Sequence, residues 1–267
     1  MAAVQGSAPA YPKPSYAWYC LGIICFAYLF GFMDRIIVGL LTPAIQMDLG
    51  LSDSQMGIIQ GLAFAVFYTL FGIPLGLAAD RTNRKWLLTA GTAFWSLMTA
   101  ACGLARSFWG LFGARVGVGI GEATLNPCAA SLIGDYFEPK TRPKAFGIYT
   151  MSTAFGTGLT YILGGALLAF IGVGTGGAQF NMPLMGPIPA WQAVFIIIGL
   201  AGLLPALLMA MTVREPARLD VAADSHASAT RQEIIDFLKL NKTTLICHHF
   251  GVAFIIMAVY GLSLIHI

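Results

Sequence analysis

Charged side chains are scarce in this sequence. Asp, Glu, Lys and Arg make up 10% of its 267 residues, hydrophobic residues make up 57%, and the mean hydropathy is +0.76. A soluble domain of this length could not bury so large an apolar fraction, which excludes an ordinary soluble protein. The composition instead indicates an integral membrane protein built from spanning helices.

The sequence also lacks the usual signals of a secreted or metal-binding protein. Residues 1–16 contain neither the apolar core nor the cleavage site of a signal peptide, so we expect a short cytoplasmic tail. His248 and His249 have no acidic neighbours, which favours a juxtamembrane pair over a metal site. Five cysteines without CxxC spacing predict packing residues rather than disulfides or a zinc site, namely Cys20, Cys25, Cys102, Cys128 and Cys247.

Seven apolar stretches follow, each near or above the ~20 residues that cross a bilayer as a helix. They lie at about 17–42, 55–79, 86–105, 108–133, 145–171, 190–213 and 243–262. Twelve of the fifteen Lys and Arg residues fall in connections on one side, and the opposite loops carry only Arg106. The positive-inside rule therefore predicts a multi-pass protein of a bacterial-type inner membrane with a cytoplasmic N-terminus.

The polar segment 214–242 divides the predicted spans into six and one. Its end, RQEIIDFLKLNK, has the spacing of a short amphipathic helix at a membrane surface. A six-helix bundle over 17–213, a cytoplasmic linker and a further helix over 243–267 are how a transporter of two six-helix halves would begin. Because no eighth helix precedes Ile267, we expect an incomplete fragment of such a protein.

Three glycine-containing motifs carry a family resemblance. GLAADRTNRK (Gly76–Lys85), RVGVGIGEA (Arg115–Ala123) and GTGLTYILGG (Gly156–Gly165) fall between spans two and three, in span four and in span five. They resemble the GxxxDRxGRR/K, RxxxGxG and span-five signatures of the major facilitator superfamily. Together with FMDR (Phe32–Arg35), they are similar to its spinster-type branch, which is related to sphingolipid and lysolipid transporters. The span-five proline of the family is absent.

The loop motif admits two interpretations. Asn83 replaces the second glycine, and since asparagine best tolerates positive φ among the other residues, we expect the turn to be kept. The basic residues alone could be topology anchors, whereas Gly76 permits close helix contact beside the charge of Asp80. The resemblance implies a gating latch between the two halves in the outward-open state, made by Gly76, Asp80, Arg81, Arg84 and Lys85.

Four charged residues lie inside predicted spans, where they are costly unless paired or hydrated. Asp34 and Arg35 point about 100° apart on one helix, so we expect their partners on other helices. Counting residues along the predicted spans places Arg115 at the same depth in the membrane as Asp34. Glu122 lies two turns from Arg115 on the same face of span four. Burial disfavours a charged carboxylate and a nearby guanidinium favours it, so movement of Arg115 between the two acids would switch which one holds a proton. A static buried ion pair is the alternative.

The glycines of spans four and five predict close helix packing, particularly at Gly119, Gly121, Gly156 and Gly158. The fold predicted is thus an all-α membrane protein with the N-terminal bundle of a major facilitator and one further helix. The resemblance implies a transporter, surrounded by membrane lipids, that moves a small organic or lipid-like solute by alternating access. The charged residues inside its spans indicate that transport is coupled to protons. Neither a cofactor nor a nucleic-acid partner is expected.

Other functions stay open at this point. The protein could be a drug or organic-anion carrier of another superfamily branch, or a non-transporting membrane sensor or assembly partner. An intramembrane enzyme is not favoured, because no HExxH, GxSxG or DxxD set is present and the embedded charges are deep and of both signs. The substrate, the direction of transport and the oligomeric state leave no readable pattern in the sequence.

Overall fold

A computed structural model describes residues 11–172, 179–183, 185–219 and 231–265. Residues 1–10 of the predicted tail (1–16) and residues 220–230 of the linker lie outside these ranges, and α1 begins within the predicted tail, at Pro14. The helices are α1 (Pro14–Leu49), α2 (Asp53–Gly57), α3 (Ala63–Arg81), α4 (Arg84–Cys102), α5 (Phe108–Glu122), α6 (Leu125–Tyr136), α7 (Arg142–Ile171), α8 (Ala190–Ala201), α9 (Leu203–Thr212), α10 (Arg231–Leu240) and α11 (Lys242–Ile265).

Helices α1 to α9 correspond to the six spans predicted for the bundle. The second span is α2 and α3 joined by a π-helical segment, Ile58–Leu62. The fourth is α5 and α6, and the sixth is α8 and α9. In the described part of the chain, five segments are long and apolar enough to cross a membrane: Pro14–Leu49, Asp53–Arg81, Phe108–Tyr136, Arg142–Ile171 and Ala190–Thr212. Helices α4 and α11 form at the third and seventh stretches, and their status as spans stays a prediction.

Local chemistry explains where several helices begin and end. Ser52 and Gln55 form a capping box at the start of α2. The side chains of Asn83 and Ser107 accept backbone N–H bonds at the starts of α4 and α5. Gly50, at φ +64°, ends α1 in the left-handed conformation that glycine adopts without strain. These capping residues therefore fix the connections at both ends of the bundle.

The connection between α7 and α8 contains a small sheet that the sequence did not predict. Strands β1 (Gln179–Met182) and β2 (Gly186–Pro189) pair antiparallel, with Gln179 opposite Pro189 and Met182 opposite Gly186. This connection, the α1–α2 turn and the α4–α5 turn lie on the side opposite to residues 80–85, 137–141 and 213–218. We call these two sides the hairpin end and the basic end.

Helix α4 packs against α5, α6, α8 and α9, and α1 packs chiefly against α7. Close backbone approach makes this possible: a Cβ built on Gly121 would lie 2.7 Å from Trp95 Cβ, and one on Gly199 would lie 2.3 Å from Ala100 N. Trp95 is fully buried in this core. Glycine at these helix contacts therefore determines how closely α5 and α8 approach α4.

The described residues form two compact units with the boundary after Arg218. The first contains α1 to α9. The second contains α10 and α11, and α10 forms where an amphipathic helix was predicted. On α10, the side chains of Phe237 and Leu238 are exposed. The membrane-surface location of this helix stays a prediction.

Candidate functional site

The centre of the bundle contains an ion pair between α1 and α5. Arg35 donates to Glu122 Oε2 through Nε at 2.8 Å and through Nη2 at 2.5 Å. The Glu122 side chain is fully buried, whereas that of Arg35 is 31% exposed. A charge-assisted bond of this kind keeps a buried carboxylate compatible with an apolar core.

Aromatic rings surround the guanidinium of Arg35. Its Cζ lies 5.4 Å from the ring centroid of Phe32, 4.8 Å from that of Phe64 and 5.2 Å from that of Tyr68. Phe64 and Tyr68 stack on each other, with centroids 5.4 Å apart. These distances are within the range of cation–π attraction, so the rings help to hold Arg35 in place.

The second carboxylate, Asp34, has a different environment. Thr99 Oγ1 of α4 donates to Asp34 Oδ2 at 2.6 Å. The buried Arg115 donates through Nη1 to the backbone carbonyl of Asp34 at 3.5 Å, and not to its carboxylate. Asp34 Oδ1, Glu122 Oε1 and Arg115 Nε are buried without a hydrogen-bond partner in the described part of the chain. The site therefore holds two buried acids with unequal partners.

This geometry corrects one expectation. Arg115 lies level with Asp34, but the cation on Glu122 is Arg35 rather than Arg115. Position 31, one turn before Arg35, lies against the Glu122 carboxyl, since a Cβ on Gly31 would be in ordinary contact with Glu122 Cδ at 3.5 Å. Glu122 is therefore at the level of α1 that Arg35 reaches. Arg115 is two turns away from Glu122 along α5 and reaches α1 at the level of Asp34 instead.

A chain of polar groups beside this site escaped the sequence analysis. Asn126 Nδ2 donates to Tyr68 Oη at 2.8 Å, and Tyr149 Oη donates to Asn126 Oδ1 at 2.8 Å. Tyr149 in turn stacks on Tyr28, with ring centroids 4.7 Å apart. Asn126 is a polar residue just before Pro127 in an otherwise apolar run, and that was the available signal. Through its two hydrogen bonds, Asn126 links α6 to α3 and α7 next to Arg35.

At the basic end, Arg84 is the centre of a second cluster. Its side chain, 1% exposed, donates to Glu215 Oε1 at 2.7 Å and pairs with Asp135. It also donates to Ser131 Oγ at 2.8 Å and to the Pro216 carbonyl at 3.2 Å. The start of α4 is thereby bonded to α6 and to the segment after α9.

Other residues of the predicted latch contribute less to this cluster. The backbone N–H of Lys85 donates to Glu215 Oε2 at 2.8 Å, and its Nζ donates to a backbone carbonyl of α9. Asp80 and Arg81 are exposed and make no side-chain hydrogen bond or ion pair with any described residue. Gly76 is not required for close contact here, because a Cβ would meet Pro127 Cβ at an ordinary 3.9 Å.

Asn83 occupies the turn without the positive φ on which the expectation was based. Its φ is −74° and its ψ 108°, so the turn requires no positive φ at this position. Asn83 instead caps α4, since its Oδ1 accepts the backbone N–H of Trp86 at 3.0 Å. Arg218 completes the turn by donating to the carbonyls of Ala79 at 2.8 Å and Thr82 at 2.9 Å. No motif or spacing had indicated this role for Arg218.

The predicted packing glycines divide into two groups. A Cβ on Gly119 would lie 2.7 Å from the carbonyl oxygen of Phe64, and one on Gly121 would meet Trp95. At Gly156 it would lie 3.3 Å from Phe32 Cβ, whereas at Gly158 it would meet nothing within 4 Å. Gly158 is therefore not a packing residue in the described structure, because it faces away from α1.

No group of three or more His, Cys, Asp and Glu side chains comes together in the described ranges. The candidate site is therefore made of the paired and unpaired charges of α1 and α5, with Thr99 and the rings around Arg35. Carboxyl and guanidinium groups of this kind can form ion pairs, and the carboxyl groups can also bind protons.

Comparisons with known proteins agree with this architecture. The sequence matches the Major Facilitator Superfamily over residues 24–266. It is 30% identical to human Protein spinster homolog 1 over 77% of this chain and 36% of that protein. It is 27% identical to the probable L-galactonate transporter of Escherichia coli K12 over 77% of this chain and 41% of that protein.

A solved structure has the same fold. It is a bacterial homolog to the human lysosomal transporter Spinster in an inward-facing, occupied conformation, at 38% identity and a TM-score of 0.70. The match covers 78% of this chain and 47% of that one, so the chain spans less than half the length of these relatives. With its helices, motifs and this likeness, the chain belongs to the Major Facilitator Superfamily, as a spinster-like member.

Proposed function

We propose that the protein is a proton-coupled secondary transporter that moves an organic, amphipathic and lipid-like solute by alternating access. The observation that carries this proposal is the inequality of two buried acids. Glu122 is paired with Arg35, whereas among the described residues the Asp34 carboxylate has the hydroxyl of Thr99 as its hydrogen-bond partner. Two acids in one buried site, with arginines beside them, are the components that proton coupling requires.

The geometry favours different protonation states for the two acids. A buried carboxylate without a cation is far more stable when neutral. The proposal therefore assigns the proton to Asp34 in this conformation and the negative charge to Glu122, which is paired with Arg35. Protonation of Glu122 would remove its attraction for Arg35 and free the guanidinium for a solute. Proton binding and solute binding would then be linked through one side chain.

The surroundings of Arg35 support an amphipathic solute. A partly exposed cation between three aromatic rings offers an anionic headgroup a charge and offers its apolar part three ring faces. The similarity to spinster proteins, named above, favours a lipid-like molecule.

An organic-anion carrier is the second candidate. The amide and hydroxyl groups of Asn126, Tyr68 and Tyr149 lie beside Arg35 and would suit a hydroxyl-rich acid. The hexuronate transporter of Bacillus subtilis, 30% identical over 73% of this chain, and the L-galactonate relative are in line with it.

Orientation and gating belong to the same proposal. The concentration of Lys and Arg at the basic end favours a cytoplasmic position for that end and for the N-terminus, in a bacterial inner membrane. The exposed Asp80 and Arg81 would then be free to contact a second six-helix half, as the latch hypothesis requires.

Proton uptake during solute flux tests the proposal. The full-length protein, reconstituted in liposomes, is offered a lysophospholipid or a sugar acid as wild type, Asp34→Asn and Glu122→Gln. We expect both substitutions to abolish proton-linked flux, while Asp53→Asn, an exposed acid at the hairpin end, leaves it intact. Survival of flux and proton movement in both core variants would reduce Asp34 and Glu122 to packing residues. The preferred solute distinguishes the two candidates.

A further inference from the structure

Three buried threonines of α4 differ in one respect. Thr89, Thr92 and Thr99 each place Oγ1 on the carbonyl four residues earlier, at 2.8, 2.8 and 3.0 Å. Among the described contacts, only Thr99 has a second acceptor for its hydroxyl, Asp34 Oδ2 at 2.6 Å.

A hydroxyl has one hydrogen to donate and two lone pairs that accept. Thr99 therefore cannot donate to Asp34 and to the Trp95 carbonyl at the same time. When Asp34 is ionised, its carboxylate has no hydrogen to give, so Thr99 must donate to it. When Asp34 is neutral, its own O–H can donate to Thr99 Oγ1, and the Thr99 hydrogen is then free to turn to the Trp95 carbonyl.

From this we infer that Thr99 is a positioning residue for Asp34, whose hydroxyl reverses its hydrogen-bond direction as the acid gains or loses a proton. The inference rests on the proposed function, in which Asp34 is a coupling acid. No proton leaves Thr99 in this exchange: one proton arrives at Asp34 Oδ2, and the hydroxyl rotates. The contact between Oγ1 and Oδ2 can thus persist in both states.

The other ionisable groups around Asp34 do not offer this contact. Cys102 of α4, Arg115 and Glu122 of α5 and the neighbouring Arg35 all lie near enough to act on its charge. Arg115 bonds to the backbone carbonyl of Asp34, and Arg35 is engaged by Glu122. Among the groups that the structure describes, the hydroxyl of Thr99 is thus the donor that contacts the Asp34 carboxylate directly.

Thr99→Val keeps the shape of the side chain and removes the hydroxyl. Ionised Asp34 would then lose its donor, so a proton would be retained to higher pH. In the reconstituted full-length protein, we expect the pH of half-maximal proton-linked flux to rise by about one unit, a tenfold change in proton affinity. Thr99→Ser restores the hydroxyl and should return the midpoint to that of the wild type.

Thr92→Val is the matched control. Thr92 is on the same helix, is fully buried and has the same bond to a helix carbonyl, but contacts no carboxylate among the described residues. It should lower the yield or stability as much as Thr99→Val does and leave the pH midpoint unchanged. Equal midpoints for Thr99→Val and wild type, or equal shifts for Thr92→Val and Thr99→Val, would overturn the inference.

A second measurement separates this inference from the proposed function. Infrared difference spectroscopy follows the carboxylic C=O stretch that disappears in Asp34→Asn, and it reads the protonation of Asp34 without any flux. If Asp34→Asn transports normally, the coupling proposal fails, and the infrared midpoints of wild type and Thr99→Val still decide the role of Thr99. Thr99→Ala, which also removes the hydroxyl, serves where Thr99→Val does not fold.

Discussion

Both nitrogen atoms of Arg35 that reach Glu122 end on the same carboxylate oxygen, Oε2. The other oxygen, Oε1, is buried without a partner in the described structure. Glu122 is completely enclosed, whereas Arg35 retains exposure and three aromatic neighbours. Loss of Arg35 should therefore destabilise the protein far more than loss of the Glu122 charge, and the two losses in the free energy of unfolding can be compared.

Removing Arg35 should cost more stability than removing the charge of Glu122. Arg35→Gln leaves a buried acid uncompensated and is expected to lower the free energy of unfolding by about 3–5 kcal/mol. Glu122→Gln leaves a cation that is still partly exposed and should lower it by about 1–2 kcal/mol. The double variant should be more stable than the sum of the two losses predicts. Unfolding titrations in detergent measure this cycle, and additivity within about 0.5 kcal/mol would contradict the pairing.

The cluster at Arg84 should be sensitive to shape as well as charge. Arg84→Lys keeps the charge but cannot reach Asp135, Glu215 and Ser131 together, since a lysine lacks the fork of an arginine. We expect a loss of about 2–4 kcal/mol in the free energy of unfolding. The exposed Arg81, changed to Lys, should lose less than about 0.5 kcal/mol. Comparable losses at both positions would show that Arg84 is not a structural centre.

Asn83 offers a test of helix capping within the family signature. Asn83→Ala removes the acceptor for the Trp86 N–H and should lower the free energy of unfolding by about 1 kcal/mol. Asn83→Gly should lower it by only a few tenths, because glycine is itself a tolerated N-cap. Thermal unfolding of the two variants in one detergent makes the comparison. A larger loss for glycine than for alanine would contradict the capping role.

The sequence predicted the helices, their order and the charged residues of the core, because apolar length and periodicity are properties of the chain itself. It did not predict which arginine pairs with Glu122. Depth along a helix follows from counting residues, but a pairing also depends on the rotation and separation of two helices. Here Glu122 faces α1 at the level of Gly31 and Arg35, whereas Arg115 reaches α1 at the level of Asp34. Thr99 and Asn126 were missed for the same reason, since their partners are on other helices.

The glycines show the same limit more sharply. Residues two apart on a helix point about 200° apart, so Gly119 and Gly121 face opposite sides of α5, as Gly156 and Gly158 do on α7. Helix α5 lies between α3 and α4, and both its glycines meet a neighbour. Helix α7 has its main contact with α1. Of Gly156 and Gly158, it is Gly156 that faces α1. A glycine-rich pattern predicts close packing without indicating which faces have a partner.

Alanine at Gly119 and at Gly158 should therefore have opposite consequences. The new methyl group at position 119 would meet the Phe64 carbonyl at 2.7 Å, and a backbone atom cannot rotate away as a side chain can. Helix α3 would have to shift, at a cost of about 1–3 kcal/mol in the free energy of unfolding. At position 158 the methyl meets open space and should leave stability unchanged or raise it by up to about 1 kcal/mol, through the higher helix propensity of alanine.

Unfolding titrations of both variants in the same detergent measure these changes directly. The displacement at position 119 should also be felt at Arg35, because Phe64 lies 4.8 Å from its guanidinium. Gly119→Ala is therefore expected to weaken the coupling between Arg35 and Glu122 in the mutant cycle, whereas Gly158→Ala leaves it unchanged. Equal destabilisation by the two alanines would mean that the face of α7 at Gly158 has a partner.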